Sequence, residues 1–205
     1  TFIDLYGEQS GLLPSREWKN NSRQTPWYPG ETLNIGIGQG YFLATPLQLA
    51  NATSLLASGG DSITPHLFLK SSNVKDKKVT KYNYENNKNS INIDMDSLHI
   101  INESMWRVIY DRKVGTASHI KKIDGIEYAG KTGTAQVYNL DKGKTGKESL
   151  QDHALFISFA PFERPEIVVA VIIDNGGSGS AVAAPIARNI IDYYFKNIKK
   201  QVALK

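Results

Sequence analysis

The chain has 205 residues, of which 40% are hydrophobic, and a formal net charge of +4 at pH 7. This length and composition predict one globular unit with a real core, and the lysines are scattered rather than clustered with aromatic residues, which argues against nucleic-acid binding. Because the chain has no cysteine and its four histidines lack metal-ligand spacing, we expect no metal or other cofactor.

Two helices are predicted in the first half of the chain. The segment 45–48 (Thr-Pro-Leu-Gln) is a capping box with proline at the first helical position, and Gly59 and Gly60 end that helix. A second helix is predicted from about Asp96 to Arg112. Their predicted apolar faces are Leu49, Ala52 and Leu56 in the first, and Leu98, Ile101, Met105 and Val108 in the second. Between them, the lysine- and asparagine-rich stretch 70–92 has the composition of a disordered loop.

Three strands and a final helix are predicted in the second half. The strands run from about Glu127 to Tyr138, His153 to Ala160 and Glu166 to Asp174, and an antiparallel meander is their simplest pairing. Ser180 is predicted to cap a helix that continues to about Asn197. Its predicted buried side is Val182, Ile186, Ile190 and Tyr193 or Tyr194. This order predicts an α+β fold, an antiparallel sheet packed between helices.

The most informative motif runs from Gly125 to Thr134, because it fits two unrelated chemistries. As Gly-x-x-x-x-Gly-Lys-Thr, the segment Gly125–Thr132 spells a phosphate-binding loop, and Asp174 would then help to hold magnesium. Such a loop needs a helix directly after its lysine. The residues after Lys131 have strand composition instead, so a strand is favoured and an NTPase stays open as an alternative.

A strand that carries this motif has its own chemistry. Lys131 offers a fixed cation, and Thr132 and Thr134 offer neutral donors, which together suit a carboxylate or a developing oxyanion. Gly133 removes a side chain where another backbone could approach. An extended peptide could add along this edge as an extra strand. The competing interpretation is an ordinary surface strand with an exposed lysine.

Several further motifs occur in order around this strand. They are Ile3-Asp4-Leu5, Gly11–Pro14, Trp18-Lys19, Gly30–Gly40 running into Ala44–Ala50, then Gly130–Gln136, Asp152–Pro161 and Asn175-Gly176-Gly177. In this order they resemble the class B penicillin-binding proteins, and most of all the elongation-type members of that family. The resemblance covers most of the chain.

The resemblance implies a penicillin-recognising serine transpeptidase fold and a D,D-transpeptidase activity. Such enzymes cross-link peptidoglycan stem peptides through an acyl-serine intermediate and are acylated by β-lactams. By the same resemblance, we expect stem peptides, β-lactams and the membrane-bound elongation machinery as partners, and no nucleic acid. The expected location is the periplasmic face of the bacterial inner membrane, with the anchor upstream of this chain.

The resemblance also implies roles for the matched residues. Lys131 would hold the second serine motif and the substrate carboxylate. Thr132 and Thr134 would donate their hydroxyls to that carboxylate, and the Thr134 N–H would supply half of the oxyanion hole. The residues expected to line the edge on which the stem peptide pairs are Gly133, Ala135 and Gln136. The Gly36–Gly40 run is expected to be a tight loop near this site.

Two serine motifs, Ser-x-x-Lys and Ser-x-Asn, should accompany the lysine motif. The strings within Ser71–Lys75 overlap and lie in the loop-like stretch, and Ser118–Lys121 lies too close to the lysine strand. Lys144–Gly146, a second Lys-Thr-Gly, has the surroundings of a solvated loop, and His153 is interpreted as a structural histidine. We therefore expect residues 1–205 to be the C-terminal portion of a single transpeptidase domain whose nucleophile lies upstream.

One more alternative remains at this point. A transpeptidase-like binding module would keep the lysine edge and bind a peptide or a partner protein without acylation. The conformation after Lys131, strand or helix, separates the NTPase from both other hypotheses.

Overall fold

Three antiparallel strands form the centre of the structure, a computed structural model that describes residues 1–81, 88–136 and 151–199. In that part of the chain, the α-helices are α1 (Arg16–Arg23), α2 (Pro29–Gly36), α3 (Pro46–Ala57), α4 (Met95–Tyr110) and α5 (Ala184–Tyr193). Two π-helical segments, Gly179–Ala183 and Tyr194–Ile198, extend α5 at its two ends to form the terminal helix. The strands are β1 (Asp61–Ile63), β2 (Lys70–Ser72), β3 (Val79–Lys81), β4 (Lys88–Ser90), β5 (Ala129–Ala135), β6 (His153–Ala160) and β7 (Ile167–Ile173).

The central sheet has the order β5-β6-β7, and both of its pairings are antiparallel. Lys131 lies opposite Ile157 and Gly133 opposite Leu155, so β5 is paired with β6 along its whole length. Within the described residues β5 pairs with no other strand, which leaves it with a free edge. The predicted meander is confirmed, although β5 begins two residues later than predicted, and Tyr138 lies outside the described residues.

Helices cover both faces of this sheet. On one face, Phe156 and Val171 of the sheet pack in one core with Ala187 and Ile191 of α5. On the other face, Phe159 packs with Met105 of α4 in a second cluster, which also includes side chains of α3 and β7. The predicted α+β arrangement, an antiparallel sheet packed between helices, is confirmed.

The capping predictions hold for α3, but the predicted apolar faces hold only in part. Thr45 Oγ1 accepts a hydrogen bond from Gln48 N (3.1 Å), and Gln48 Oε1 accepts one from Thr45 N (2.9 Å). The buried residue of α3 is Thr53, whose hydroxyl donates to Leu49 O, whereas Ala52 is exposed. In α4, Leu98, Met105 and Ile109 are buried, whereas Ile101 is exposed.

The buried face of the terminal helix is shifted by one residue along the sequence from the predicted face. Ser178 rather than Ser180 caps it, because Ser178 Oγ accepts from Ala181 N (3.3 Å) at the start of a wide π-helical turn. The residues that face the sheet are Ala183, Ala184, Ala187 and Ile191, whereas the predicted Ile186 and Ile190 are 38% and 43% exposed. Alanine lets the helix backbone lie close to the sheet, and a search for the largest apolar side chains misses that surface.

The stretch 70–92 contains more order than its composition predicts. β2 and β3 form an antiparallel hairpin, and β4 pairs with β1. At the hairpin turn, Asn73 Oδ1 accepts from Lys75 N and Asp76 Oδ1 accepts from Lys78 N, both at 2.9 Å. These side chains replace the backbone partners that a turn lacks. Residues 82–87 lie outside the described part of the chain.

Candidate active site

The residues after Lys131 form a strand and not a helix. β5 continues through Thr132, Gly133 and Thr134 to Ala135. A phosphate-binding loop requires helical amides in this place, so the NTPase hypothesis is wrong. Asp174, which that hypothesis needs for magnesium, directly follows β7, and its side chain is 84% exposed.

The free edge of β5 carries the main-chain groups of Thr132 and Thr134. Thr134 O accepts a hydrogen bond from Gln39 Nε2 (2.8 Å), and Thr132 O accepts one from Lys131 Nζ (2.6 Å). Both carbonyls therefore point away from β6. Because a strand residue directs its N–H and C=O to the same side, the two threonine N–H groups also face this edge. The edge thus presents the donors and acceptors that pairing with an extended peptide requires.

Lys131 is exposed at the centre of this edge. Its amine bonds only the neighbouring carbonyl of Thr132 among the described residues. Lysine has a flexible four-carbon stem, so the amine can leave this carbonyl for an incoming anion. Thr134, also exposed, lies on the opposite side of the strand from Lys131.

Thr132 is held from the loop that follows α4. Its Oγ1 lies 3.0 Å from Thr116 Oγ1. Gly115 permits this approach, since a Cβ there would lie only 2.5 Å from Asp111 O and 2.6 Å from Arg107 O. Thr116 was not predicted as part of this site. The glycine that precedes it, Gly115, is the one nearby residue whose close packing distinguishes this loop.

Two glycines let neighbouring elements approach β5 closely. A Cβ on Gly133 would lie 3.1 Å from Leu155 Cβ of β6. A Cβ on Gly179, in the first turn of the terminal helix, would lie 2.4 Å from both Gly133 O and Leu155 O. The wide turn therefore rests directly on the backbone of this strand. The glycine at position 133 is therefore explained by close packing against Leu155 of β6.

Gln39 reaches the edge from the loop after α2. Gly38 and Gly40 have φ angles of 73° and 79°, which glycine adopts at no steric cost, and Gln39 N donates to Asn34 O (2.8 Å). This turn directs the Gln39 side chain across to Thr134. The loop lies next to β5, as expected, but a Cβ on Gly38 would meet nothing within 4 Å, so the turn conformation and not close packing calls for glycine there. The sequence signal for Gln39 is its position between two glycines.

α1 and α2, which support this loop, were not predicted from the sequence. A salt bridge joins them: Lys19 Nζ contacts both carboxylate oxygens of Glu31 at 2.5 and 2.6 Å, and the Lys19 side chain is only 3% exposed. Glu31 also accepts from Tyr28 N (2.8 Å), which caps the start of α2. The hydrogen bond from Lys19, followed by that from Tyr28 N, holds the pKa of Glu31 below its ordinary value.

A cleft of about 570 Å³ lies between these helices and the end of the strand. Its walls are Arg23, Glu31, Asn34, Ile35, Gln39, Gly40, Tyr41 and Gln136. Gln39 therefore contacts Thr134 and also lines the cleft. The free edge and the cleft form one continuous surface.

Comparison with known proteins assigns the family. The penicillin-binding protein transpeptidase domain matches residues 1–192. The chain belongs to this family. Peptidoglycan D,D-transpeptidase MrdA of Haemophilus influenzae is 37% identical over 208 residues, which cover 98% of this chain and 31% of that protein. The chain thus spans about a third of the length of this relative.

Solved structures of the family have the same fold. PBP2 of Pseudomonas aeruginosa, in complex with WCK 5153, is similar with a TM-score of 0.75 and 41% identity, over 93% of this chain and 39% of that one. PBP2 of Helicobacter pylori, in complex with MreC, gives a TM-score of 0.74 at 29% identity, over 96% and 33% of the two chains. The chain therefore has the α+β fold of the penicillin-recognising serine transpeptidases, close to penicillin-binding protein 2.

The other serine and histidine strings do not build a second site. Ser71 and Ser72 lie exposed on the small β2–β3 hairpin, without the buried helix start that a nucleophile of this family needs. His153 Nδ1 accepts a hydrogen bond from Asn175 N (3.0 Å). In this arrangement Nδ1 has no hydrogen to donate to Asp174 Oδ1, which lies 3.6 Å away. The contact with Asn175 fits a structural role for His153. Lys144–Gly146 lies outside the described residues.

Across residues 1–81, 88–136 and 151–199, no three His, Cys, Asp or Glu side chains come together as metal ligands. The helices in that part of the chain are all too short or too polar to cross a bilayer.

Proposed function

We propose that this chain is the C-terminal portion of a transpeptidase domain, and that the whole protein is a peptidoglycan D,D-transpeptidase. The chain supplies the lysine strand of the site, and the Ser-x-x-Lys and Ser-x-Asn motifs lie in upstream sequence. The observation that carries this proposal is the free edge of β5, with an exposed lysine and two threonines within a family match over residues 1–192.

The family resemblance assigns a role to each matched residue on the edge of β5. The Lys131 amine binds the carboxylate at the C-terminus of a stem peptide and bridges to the upstream serine motif. The Thr132 and Thr134 hydroxyls hydrogen-bond the same carboxylate. The backbone of the stem peptide pairs with the edge that continues through Ala135 to Gln136.

The reaction is an acyl transfer in two steps. The upstream serine hydroxyl attacks the carbonyl between the last two D-alanines, while the Thr134 N–H stabilises the oxyanion that develops on that carbonyl oxygen. The C–N bond then breaks, the terminal D-alanine leaves with a proton on its nitrogen, and an acyl-serine ester remains. An amine of a second stem peptide attacks this ester, which forms the cross-link and regenerates the serine.

The same geometry supports β-lactams as ligands, because their ring carbonyl and carboxylate mimic the scissile peptide and its C-terminus. By similarity to the H. pylori PBP2 complex, a protein of the elongation machinery is a further partner of the whole protein. The proposed location is the periplasmic face of the bacterial inner membrane, through an anchor upstream of this chain. A peptide-binding module without acylation remains the second candidate, since the strand edge alone would support it.

A fluorescent penicillin separates these two functions. We expect the chain, extended upstream to include both serine motifs, to become covalently labelled at a single serine, and heat-denatured protein to remain unlabelled. Mass spectrometry of the labelled peptide locates the modified serine. Binding of stem peptides without any covalent label would exclude the transpeptidase and favour the binding module.

A further inference from the structure

The β2–β3 hairpin, residues 70–81, carries the whole net charge of the chain. It contains one aspartate, Asp76, and five lysines, which are Lys70, Lys75, Lys77, Lys78 and Lys81. Without these six residues, the 24 basic and 20 acidic residues of the chain are reduced to 19 of each. The rest of the sequence is therefore balanced, and the hairpin alone has a net charge of +4, the formal charge of the whole chain.

The lysines of the hairpin are available to an anion. Every residue from 70 to 81 is exposed. Among the described residues, none of the five lysines forms a salt bridge. Asp76 uses Oδ1 to accept a hydrogen bond from Lys78 N in the turn. The field of such a group of charges extends about 10 Å into solvent at 0.1 M salt, so it attracts an anion before contact.

These lysines do not stabilise the hairpin itself. Lys70 lies directly opposite Lys81 in the strand register, and like charges in this position are destabilising. The turn is fixed instead by two side-chain oxygens that accept from backbone N–H groups. Asp4 fixes the chain just before β2, because its carboxylate accepts from Leu67 N (2.6 Å) and Phe68 N (2.8 Å). Binding of an anion would relieve the repulsion between the lysines.

The other side chains of the hairpin favour an acidic polymer over a lipid surface. Ser71 and Thr80 face each other across the two strands, and their hydroxyls can hydrogen-bond sugars and peptides. A helix or loop that lies in a bilayer surface needs a broad apolar face beside its cations. The hairpin offers only two exposed valines, Val74 in the turn and Val79 on β3.

The proposed function supplies a polymer of this kind. An un-cross-linked stem peptide ends in a carboxylate, and one glycan strand carries many stem peptides. The strand therefore presents a row of carboxylates, and several lysines on one hairpin can bind more than one of them at a time. Multivalent contact of this kind gives affinity without a pocket.

We propose that the β2–β3 hairpin is a docking site for the un-cross-linked glycan strand, and that its lysines bind stem-peptide carboxylates there. The site is separate from the reaction, since Lys75 and Lys77 belong neither to β5 nor to the walls of the cleft. Docking keeps the strand at the enzyme between successive cross-links. This inference rests on the proposed function, because that function identifies the polymer.

Soluble, fluorescently labelled glycan strands that carry stem peptides test the docking site. Their Kd for the upstream-extended protein is measured by fluorescence anisotropy. We expect Lys75→Gln combined with Lys77→Gln to raise Kd by about four- to twentyfold, because each exposed ion pair contributes a factor of up to about five. Lys75→Arg combined with Lys77→Arg keeps both charges and should bind like the wild type.

Lys113→Gln combined with Lys121→Gln is the matched control, because it removes the same charge from two exposed lysines outside the hairpin. It should keep the wild-type Kd. Strands whose stem-peptide carboxylates have been amidated should bind equally to the wild type and to the Lys75/Lys77 glutamine variant. Equal Kd values of these two proteins for unmodified strands, or a difference that persists with amidated strands, would overturn the docking site.

Vesicles of phosphatidylglycerol and phosphatidylethanolamine represent the competing partner, because Leu67 and Leu69 are exposed just before β2. The glutamine variant should bind them no more weakly than the wild type does. Vesicle binding that depends on Lys75 and Lys77, together with strand binding that does not, would replace the polymer by a lipid surface and overturn the proposal.

Penicillin labelling of the same samples keeps the two proposals distinct. Normal labelling of the wild type and of the glutamine variant, together with equal Kd values for the strand, overturns only the docking site. A wild type that takes no label overturns the transpeptidase assignment. Strand binding that still depends on Lys75 and Lys77 in that case supports the docking site by itself.

Discussion

Gly179 is the position at which a single methyl group should disturb the site without touching the side chains of Lys131, Thr132 or Thr134. An alanine Cβ there would lie 2.4 Å from both Gly133 O and Leu155 O, whereas real Cβ atoms essentially never approach closer than 3.0 Å. The difference, 3.0 − 2.4 = 0.6 Å, is the smallest shift that relieves the clash. Both contacts are backbone atoms of paired strands, so neither can rotate away as a side-chain end could.

The Gly179→Ala chain should therefore lose stability and also displace the centre of β5. Overpacking of this kind costs about 1–3 kcal/mol. For a chain of this size, that loss lowers Tm by roughly 2–12 °C. Gly133 lies between Thr132 and Thr134, so the oxyanion donor should move with it. Misplacements near 1 Å can slow a reaction by about a hundredfold, and we expect a loss of about ten- to a hundredfold in penicillin acylation.

Thermal unfolding of this chain measures the change in Tm, and penicillin labelling of the upstream-extended protein measures the change in acylation rate. Gly30→Ala is the control, since a Cβ on Gly30 meets nothing within 4 Å and Gly30 lies in the first turn of α2. It should leave Tm and labelling close to those of the wild type. A Gly179→Ala protein that matches this control in both measurements would refute the close packing of the wide turn on β5.

Two further predictions concern the terminal helix and the salt bridge between α1 and α2. Ile191 is fully buried, so Ile191→Ala should lower the free energy of unfolding in urea by about 2–5 kcal/mol. Ile190 is 43% exposed, so Ile190→Ala should lower it by less than about 1 kcal/mol. Equal losses for the two variants would contradict the placement of α5. Glu31→Gln should lower Tm at pH 7, because it leaves Lys19, 3% exposed, without its partner. The folded pKa of Glu31 is lowered, so its contribution is complete above its ordinary pKa of 4.5 and is lost as the pH falls through the folded pKa. The Tm difference between wild type and Glu31→Gln should therefore shrink from pH 7 to pH 3, and a constant difference would contradict this linkage.

The sheet and its lysine strand could be predicted because their signals are local. Thr132 to Ala135 lacks the composition of a helix, and the long β-branched run of β7 fixes a neighbouring strand. The capping box at Thr45 likewise specifies where α3 begins. In each case, the residues that determine the element also lie within it.

The misses share a different physical cause, because they depend on contacts between distant parts of the chain. Ala187 faces the sheet because the helix lies close to β6 and β7, which no periodicity in large apolar residues reveals. Gln39 meets Thr134 across 95 positions, and Thr116 meets Thr132 from a loop. Arg23 lines a cleft that four separate segments of the chain build, so its surroundings are also set by distant contacts. Tertiary packing decides these positions.

Lys131→Ala in the upstream-extended protein tests the central claim most directly, through the rate of acylation by a fluorescent penicillin. If the amine on the free edge of β5 holds the ligand carboxylate, acylation should slow by at least about a hundredfold, a typical loss for one preorganised electrostatic group. Lys113→Ala, at an exposed lysine after α4, should label at the wild-type rate. A near-normal rate for Lys131→Ala would contradict the role of this strand.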